Sequence, residues 1–280
     1  MITHFKSILA GTTEEGDERA SSAIGYALGL ASAAQAHLTV QAASLKMAIP
    51  FSAVGRFASD IVASENRRLH ELAETIARDA GRDAEQLGVS CSLETPQLSF
   101  PDLVEAFLCQ ARVHDVAVLD AVDSVVDLDR ALAERVLFDS GRPVIIVPEG
   151  HPGFRCRRAI VAWDGSGVAA RAVADAMPLL RAADQVEIVS VVGEKDMARL
   201  VPGAELAPHL ARHGVKVEVK SLPMGGAGGV AQVLRGHASL LHADLIVMGA
   251  YRHSRFQEML LGGVTRSLLE TSPVPLFLSH

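Results

Sequence analysis

Two hydrophobic rhythms alternate along the chain. Short apolar runs rich in β-branched residues, four to seven residues at their core, are followed by Ala- and Leu-rich stretches with apolar positions at helical spacing. Strands are predicted over 5–13, 37–44, 89–95, 114–120 and 141–148, and again over 157–165, 185–192, 215–222, 243–249 and 273–279. The intervening helices include "ERASSAIGYALGLASAA" in the first half and "AARAVADAMPLLRAA" in the second. Continuous apolar strands separated by helices imply parallel sheets covered on both faces. The chain is thus one βα unit written twice, divided near the Gly/Pro stretch "EGHPGFR" at 149–155 into domains 1–150 and 151–280.

The halves differ in length. From Thr12 to Pro143 the first spans roughly twenty residues more than the second spans from Asp164 to Pro275. The surplus follows the second strand: an apolar stretch, "MAIPFSAVGRF", then a long helix with Leu69, Leu72 and Ile76 on one face. The apolar stretch needs cover, from its own domain, as a lid, or in a dimer; a homodimer is the expectation.

Composition narrows the class. Hydrophobic residues at 49% and charged residues at 21% describe a packed globular protein. Aromatics at 4% and a net charge of -7 leave little for a general nucleic-acid or anionic-membrane surface. No apolar run approaches membrane length, and the first residues lack the layout of a signal peptide, so a cytoplasmic protein is expected. Three cysteines without a CxxC pattern fit a reducing compartment. Cys91 and Cys109 read as core residues; Cys156, among Arg155, Arg157 and Arg158, reads as a passive linker residue or a thiol of lowered pKa.

The candidate chemistry lies in "IVMGAYRHSRFQEMLLGGVTRSLLETSPVPLFL", together with Asp164 at the end of the second half's first strand. Gly249, Arg252, Gly262 and Gly263 keep a spacing of two and then nine intervening residues. With these residues the chain resembles the universal stress protein family, as a tandem two-domain member. The nucleotide-binding branch of that family has Gly, two residues, Gly, nine residues, Gly and then Ser or Thr; here Arg252 replaces the second Gly and Gly263 the hydroxyl residue. The resemblance implies two doubly wound five-stranded parallel sheets of the adenine nucleotide alpha hydrolase-like type, with strand order 3-2-1-4-5. It implies that the last strands of the two halves pair antiparallel across the domain interface. It also implies ATP or another adenine nucleotide as ligand, with no metal beyond nucleotide-associated Mg. The implied nucleotide contacts are Asp164 and the Val191 backbone for the base, together with Met248, Gly249, Arg252, Gly262, Gly263, Val264 and Thr265.

Physical chemistry offers the same residues other roles. Asp164 serves equally as a cap or Asx turn for the helix after "DGSG". Gly262 and Gly263 open a helix, where free N–H groups and the dipole favour an anion without any side chain; Thr265 adds a hydroxyl half a turn on. Arg252, with His253 and Arg255, can pair with phosphate, occlude the pocket or point to solvent. In the first half Thr12 is read at the aspartate's place and Arg130 and Ala131 at the glycine pair's, while Asp120, Asp123, Asp127 and Asp129 crowd the loop; that site is read as dead for ATP.

"PMGGAGGVAQVL" at 223–234 is near a dinucleotide fingerprint but follows the wrong strand, and is read as a βα turn. His209 and His213 stand four apart on a helix with no third metal ligand in the sequence nearby. The readings that remain are a non-enzymatic stress or signalling module with a weak adenine-nucleotide site in its second half, and an interaction protein with vestigial pockets. An ATPase ranks third, for want of a general base and a metal carboxylate.

Overall fold

A computed structural model describes residues 2, 4–14, 21–48, 56–121, 128–193, 203–225, 229–250, 252–253 and 260–280. In the first half the strands are β1 (Ser7–Glu14), β2 (His37–Leu45), β3 (Cys91–Glu94), β4 (Gln97–Leu98), β5 (Val116–Asp120) and β6 (Val144–Val147). The second half supplies β7 (Arg158–Ala162), β8 (Gln185–Val192), β9 (Val217–Pro223), β10 (Leu245–Gly249), β11 (Arg252–His253), β12 (Leu260–Leu261) and β13 (Leu276–Ser279). The helices are α1 (Ser22–Ala34), α2 (Arg56–Gln86), α3 (Phe100–Val113), α4 (Leu128–Asp139), α5 (Gly167–Ala182), α6 (Ala207–Arg212), α7 (Gly229–Leu241) and α8 (Gly263–Thr271).

All the long strands join one eleven-stranded sheet in the order β3-β2-β1-β5-β6-β13-β10-β7-β8-β9, with β4 beside β2. Each half therefore carries the expected 3-2-1-4-5 order, parallel throughout. Two details go beyond it: the two-residue β4, and the β11–β12 pair, which forms a small sheet of its own. The halves meet antiparallel at β6 and β13, where Ile146, Ile145 and Val144 face Leu276, Phe277 and Leu278. All six are buried, so each strand covers what would otherwise be an apolar edge. One core cluster runs across the seam, from Ile8 and Val118 through Ile145 and Phe277 to Val161 and Val247.

A repeated device sets the strand starts. Asp115 accepts the N–H groups of Lys6 and Ser7 at 2.6 and 3.0 Å; Asp244 accepts those of Arg157 and Arg158 at 2.8 and 2.9 Å. Counting forward from these matched pairs, Thr13 rather than Thr12 stands where Asp164 stands. The sequence comparison is off by one because the first strands align equally well in two registers by hydrophobicity alone.

The linker does not hang free. The Gly150 N–H donates to Ser22 Oγ at 2.9 Å, and Tyr26 meets the rings of His151 and Phe154 edge-on at centroid distances of 5.7 and 5.3 Å. A Cβ on Gly29 would lie 2.8 Å from Phe154 Cβ, so glycine lets the linker settle on α1.

The surplus helix α2 is long and amphipathic as expected, with Leu69, Ala73, Ala77, Ala80 and Ala84 buried. Of the apolar stretch before it, residues 49–55 lie outside the described residues; Met47 is tied to α2 through Asn66, whose side chain exchanges hydrogen bonds of 2.8 and 2.9 Å with the Met47 backbone. The cysteine expectations change. Cys109 is exposed on α3 and Cys91 half-buried, while Cys156 is the buried one. Burial, then the Asp244 charge, pushes the Cys156 thiol up to about 12, so the flanking arginines do not activate it.

Candidate functional site

The second half holds a cavity of about 620 Å3 at the carboxyl ends of its strands, between β7 and β10 where the strand order reverses. Asp164, Val191, Met248, Gly249, Gly262, Gly263, Val264 and Thr265 all line it, so the fold brings eight of the nine sequence candidates together from four separated segments. The ninth, Arg252, belongs to β11 by its backbone, and its side chain lies outside what the structure describes.

Each candidate has a local reason to be where it is. Asp164 follows β7, and its Oδ1 accepts the Ser166 N–H at 3.0 Å. Ser166 is the actual cap of α5: its Oγ accepts the Ala169 N–H at 3.1 Å. The Asx turn weighed from sequence is therefore present, with the carboxylate still at the cavity wall. Gly249 ends β10 against the start of α5; a Cβ there would lie 2.6 Å from both Ala169 N and Val168 C. Its glycine is required by backbone packing, whatever the ligand. Gly249→Ala should accordingly cost about 1–3 kcal/mol of stability, read as a lower urea midpoint; an unchanged midpoint would show that α5 shifts freely.

Gly263 is the opposite case. It is exposed at the first position of α8, and nothing lies within 4 Å of a Cβ built on it, so a side chain fits. Gly262 caps α8 without a side-chain bond, which leaves the helix start dependent on what the cavity holds. Thr265 is buried one turn in.

Several wall residues escaped the sequence reading. Trp163, the chain's one tryptophan, immediately precedes Asp164. Its indole N–H donates to Glu205 Oε1 at 2.7 Å, its carbonyl accepts from Ser190 Oγ at 2.9 Å, and Glu205 Oε2 accepts the Gly203 N–H at 3.1 Å. The indole bond, with backbone amides behind it, holds the Glu205 carboxyl below its usual range. Val230 and Leu234 come from α7, which begins at Gly229, inside the stretch 223–234 read as a βα turn. The second part of that stretch is therefore helix and not turn, residues 226–228 lie outside the described residues, and the carboxyl edge of a parallel sheet is where walls are built. A lone tryptophan at a strand end was the signal for Trp163; Glu205 had none.

The first half is built differently. Matched strand for strand, Asp120 ends β5 where Gly249 ends β10, and it meets the start of α1 through its carboxylate: Oδ2 accepts from Ser21 Oγ at 2.6 Å and Oδ1 from the Ala23 N–H at 2.8 Å. The protein's own anion occupies that helix start. Arg130 and Ala131 stand inside α4, which begins at Leu128, so the glycine turn that opens α8 has no counterpart there. Asp123 and Asp127 lie outside the described residues.

Burial raises the Asp120 pKa despite its hydrogen bonds, with Glu149 adding to the effect. The folded state thus holds the Asp120 proton more tightly than the unfolded chain does. Its stabilising share is present below the ordinary carboxylate pKa and is lost as pH rises through the folded value. Asp120→Asn keeps the shape and an acceptor for the Ala23 N–H, while its amide NH2 can only donate towards Ser21 Oγ; it should flatten that part of the urea midpoint's pH dependence, and an unaltered profile would assign it to other groups.

His209 on α6 and His213 at its C-cap approach at a 4.8 Å centroid distance with their rings tilted by 59°, and among the described residues no three His, Cys, Asp or Glu side chains gather as a metal site. No described helix is long and apolar enough to cross a membrane.

The universal stress protein family model matches residues 156–280. The C-terminal half is a universal stress protein domain. Among curated proteins none matches the sequence. A universal stress protein from Archaeoglobus fulgidus DSM 4304 superimposes over 99% of this chain and 97% of its own, at 18% identity and a TM-score of 0.71. A protein of unknown function from Pseudomonas aeruginosa PAO1 superimposes over 99% and 93%, at 14% identity and a TM-score of 0.57. Full-length likeness at such identities gives the whole chain the two-domain universal stress protein fold, with the cavity inside the half that the family model matches.

Proposed function

We propose that the universal stress protein domain binds an adenine nucleotide weakly, and that the chain serves as a non-enzymatic stress-response or signalling module of the cytoplasm. The observation that supports this most is the convergence of Asp164, Val191, Met248, Gly249 and the Gly262–Thr265 turn on one cavity. Its volume suits a small ligand, its walls are largely apolar, and the start of α8 offers N–H groups to an anion at its edge. Weak binding follows from the Glu205 carboxylate in the same wall, from Arg252 in the place of a glycine and from a turn that lacks a hydroxyl at Gly263.

The test uses the cavity's own tryptophan. Titration with ATP should change Trp163 fluorescence saturably, and calorimetry should give the same dissociation constant. No change in either, with no nucleotide released from the freshly purified protein by mass spectrometry, would favour the interaction protein with a vestigial pocket. The same proposal includes a homodimer: light scattering should give twice the chain mass, reduced by deletion of residues 47–57. A dimer that survives the deletion would mean that this stretch covers only its own domain.

A further inference from the structure

The sheet ends at β3 on one side and at β9 on the other, and the two ends are finished differently. β3 has four residues and packs against α2, a helix of 31 residues. β9 has seven residues, and its helix α6 has only six. Every residue of β9 is at least partly exposed, whereas its neighbour β8 is mostly buried.

Hydrogen bonds fix which way the β9 backbone points. The Lys216 carbonyl accepts the Val186 N–H and the Met224 N–H donates to the Val192 carbonyl, both at 2.9 Å. Even-numbered residues from 216 to 224 therefore face β8, and the odd ones, by the alternation of a strand, face away. The N–H and C=O groups of Val217, Val219 and Ser221 point off the end of the sheet, and among the described residues none bonds to them. Pro223, next in that series, has no N–H and closes the usable edge.

The charges on this edge are self-complementary. Glu218 and Lys220 flank Val219 on one face, with Lys220 Nζ 3.5 Å from Glu218 Oε2. A lone lysine commonly keeps an edge strand from pairing. Here, two copies of β9 laid antiparallel about a two-fold axis at Val219 bring Val219 to Val219 and Val217 to Ser221. All of these are outward-facing residues, with two bonds in each pair. The same register sets Glu218 opposite Lys220 in both directions, at the positions where facing side chains approach most closely. Moving the axis to Glu218 or to Lys220 sets like charges face to face. β3, whose one charge is Glu94, offers no such register.

We propose that β9 docks a second copy of this chain, strand to strand and antiparallel, with Glu218 and Lys220 paired across the axis. The β6–β13 seam is the same kind of contact within one chain. This contact goes beyond the homodimer proposed for residues 47–57, because Met47 follows β2, near the other end of the sheet.

Sedimentation velocity on the full chain at rising concentration reads the contact. A reversible step is expected, from monomer to dimer if residues 47–57 make no contact, and from dimer to larger species if they do. Glu218→Lys or Lys220→Glu alone sets like charges opposite each other twice per contact and should weaken that step by about tenfold. The two together restore opposite charges and should return it to within about threefold of the parent. Val219→Pro removes the N–H on the axis without touching the bonds to β8, and should abolish the step. No step up to about 1 mM protein, a step indifferent to Val219→Pro, or single reversals that the double variant fails to rescue would each overturn the proposal. So would a step lost in Leu93→Pro and untouched by the β9 variants, which would move the contact to β3.

Discussion

Phe277→Ala should destabilise the whole protein by about 3–5 kcal/mol, in one unfolding transition and not two. Phe277 is fully buried in the last strand, and its β partner Ile145 belongs to the other half. The core cluster around it draws side chains from both domains. A cavity opened there removes contacts from both halves at once. Each half alone would also bare a four-residue apolar edge strand, β6 or β13, which makes independent survival of either costly. Chemical denaturation followed by Trp163 fluorescence, which reports on the second half, and by far-ultraviolet circular dichroism, which reports on both, should give coincident curves. Separate midpoints would show that the seam joins the domains without making them one folding unit.

The double substitution Arg252→Gly with Gly263→Ser should strengthen ATP binding, by roughly ten- to a hundredfold if a single hydrogen bond to a charged phosphate is restored. Room for the serine is already there, since a Cβ at 263 meets nothing and the residue is the first of α8, with its hydroxyl at the helix start. Glycine at 252 restores the small residue that the nucleotide-binding spacing has at that place. Asp164→Ala in the double-substituted background should weaken binding again. Calorimetry decides: a double variant no better than the parent leaves the cavity as a shell, and a parent that binds tightly but is loosened by Arg252→Gly makes Arg252 a phosphate ligand.

The architecture was legible because its signals are redundant. The ten predicted strands appear, since most carry a continuous apolar run; their order and the pairing of the two final strands also appear, but those were implied by the family resemblance and not by the runs. Register was less legible: Thr12 and Thr13 cannot be ranked by hydrophobicity, and only the matched Asp115 and Asp244 contacts separate them. At the cavity, the residues found from sequence were those next to glycine or acid punctuation. Of those missed, Trp163 adjoins Asp164 and had a signal of its own, while Val230, Leu234 and Glu205 lie in segments whose relation to the cavity exists only after the chain is wound. The meaning of Gly249 also needed three dimensions, because its constraint comes from Val168 and Ala169 eighty residues earlier in the chain.

The pairing of Asp120 in one half with Gly249 in the other bears on how the molecule would respond to ligand. Two identical domains across a shared seam could couple two sites, so that the first occupancy alters the second and the response steepens. Here the first half sets its own Asp120 carboxylate at the start of α1, and its α4 has no counterpart of the glycine turn that opens α8. Under the proposed reading one ligand then serves each chain. Within one chain no second site is left to couple to, so each chain reports nucleotide level as a gauge and not as a switch.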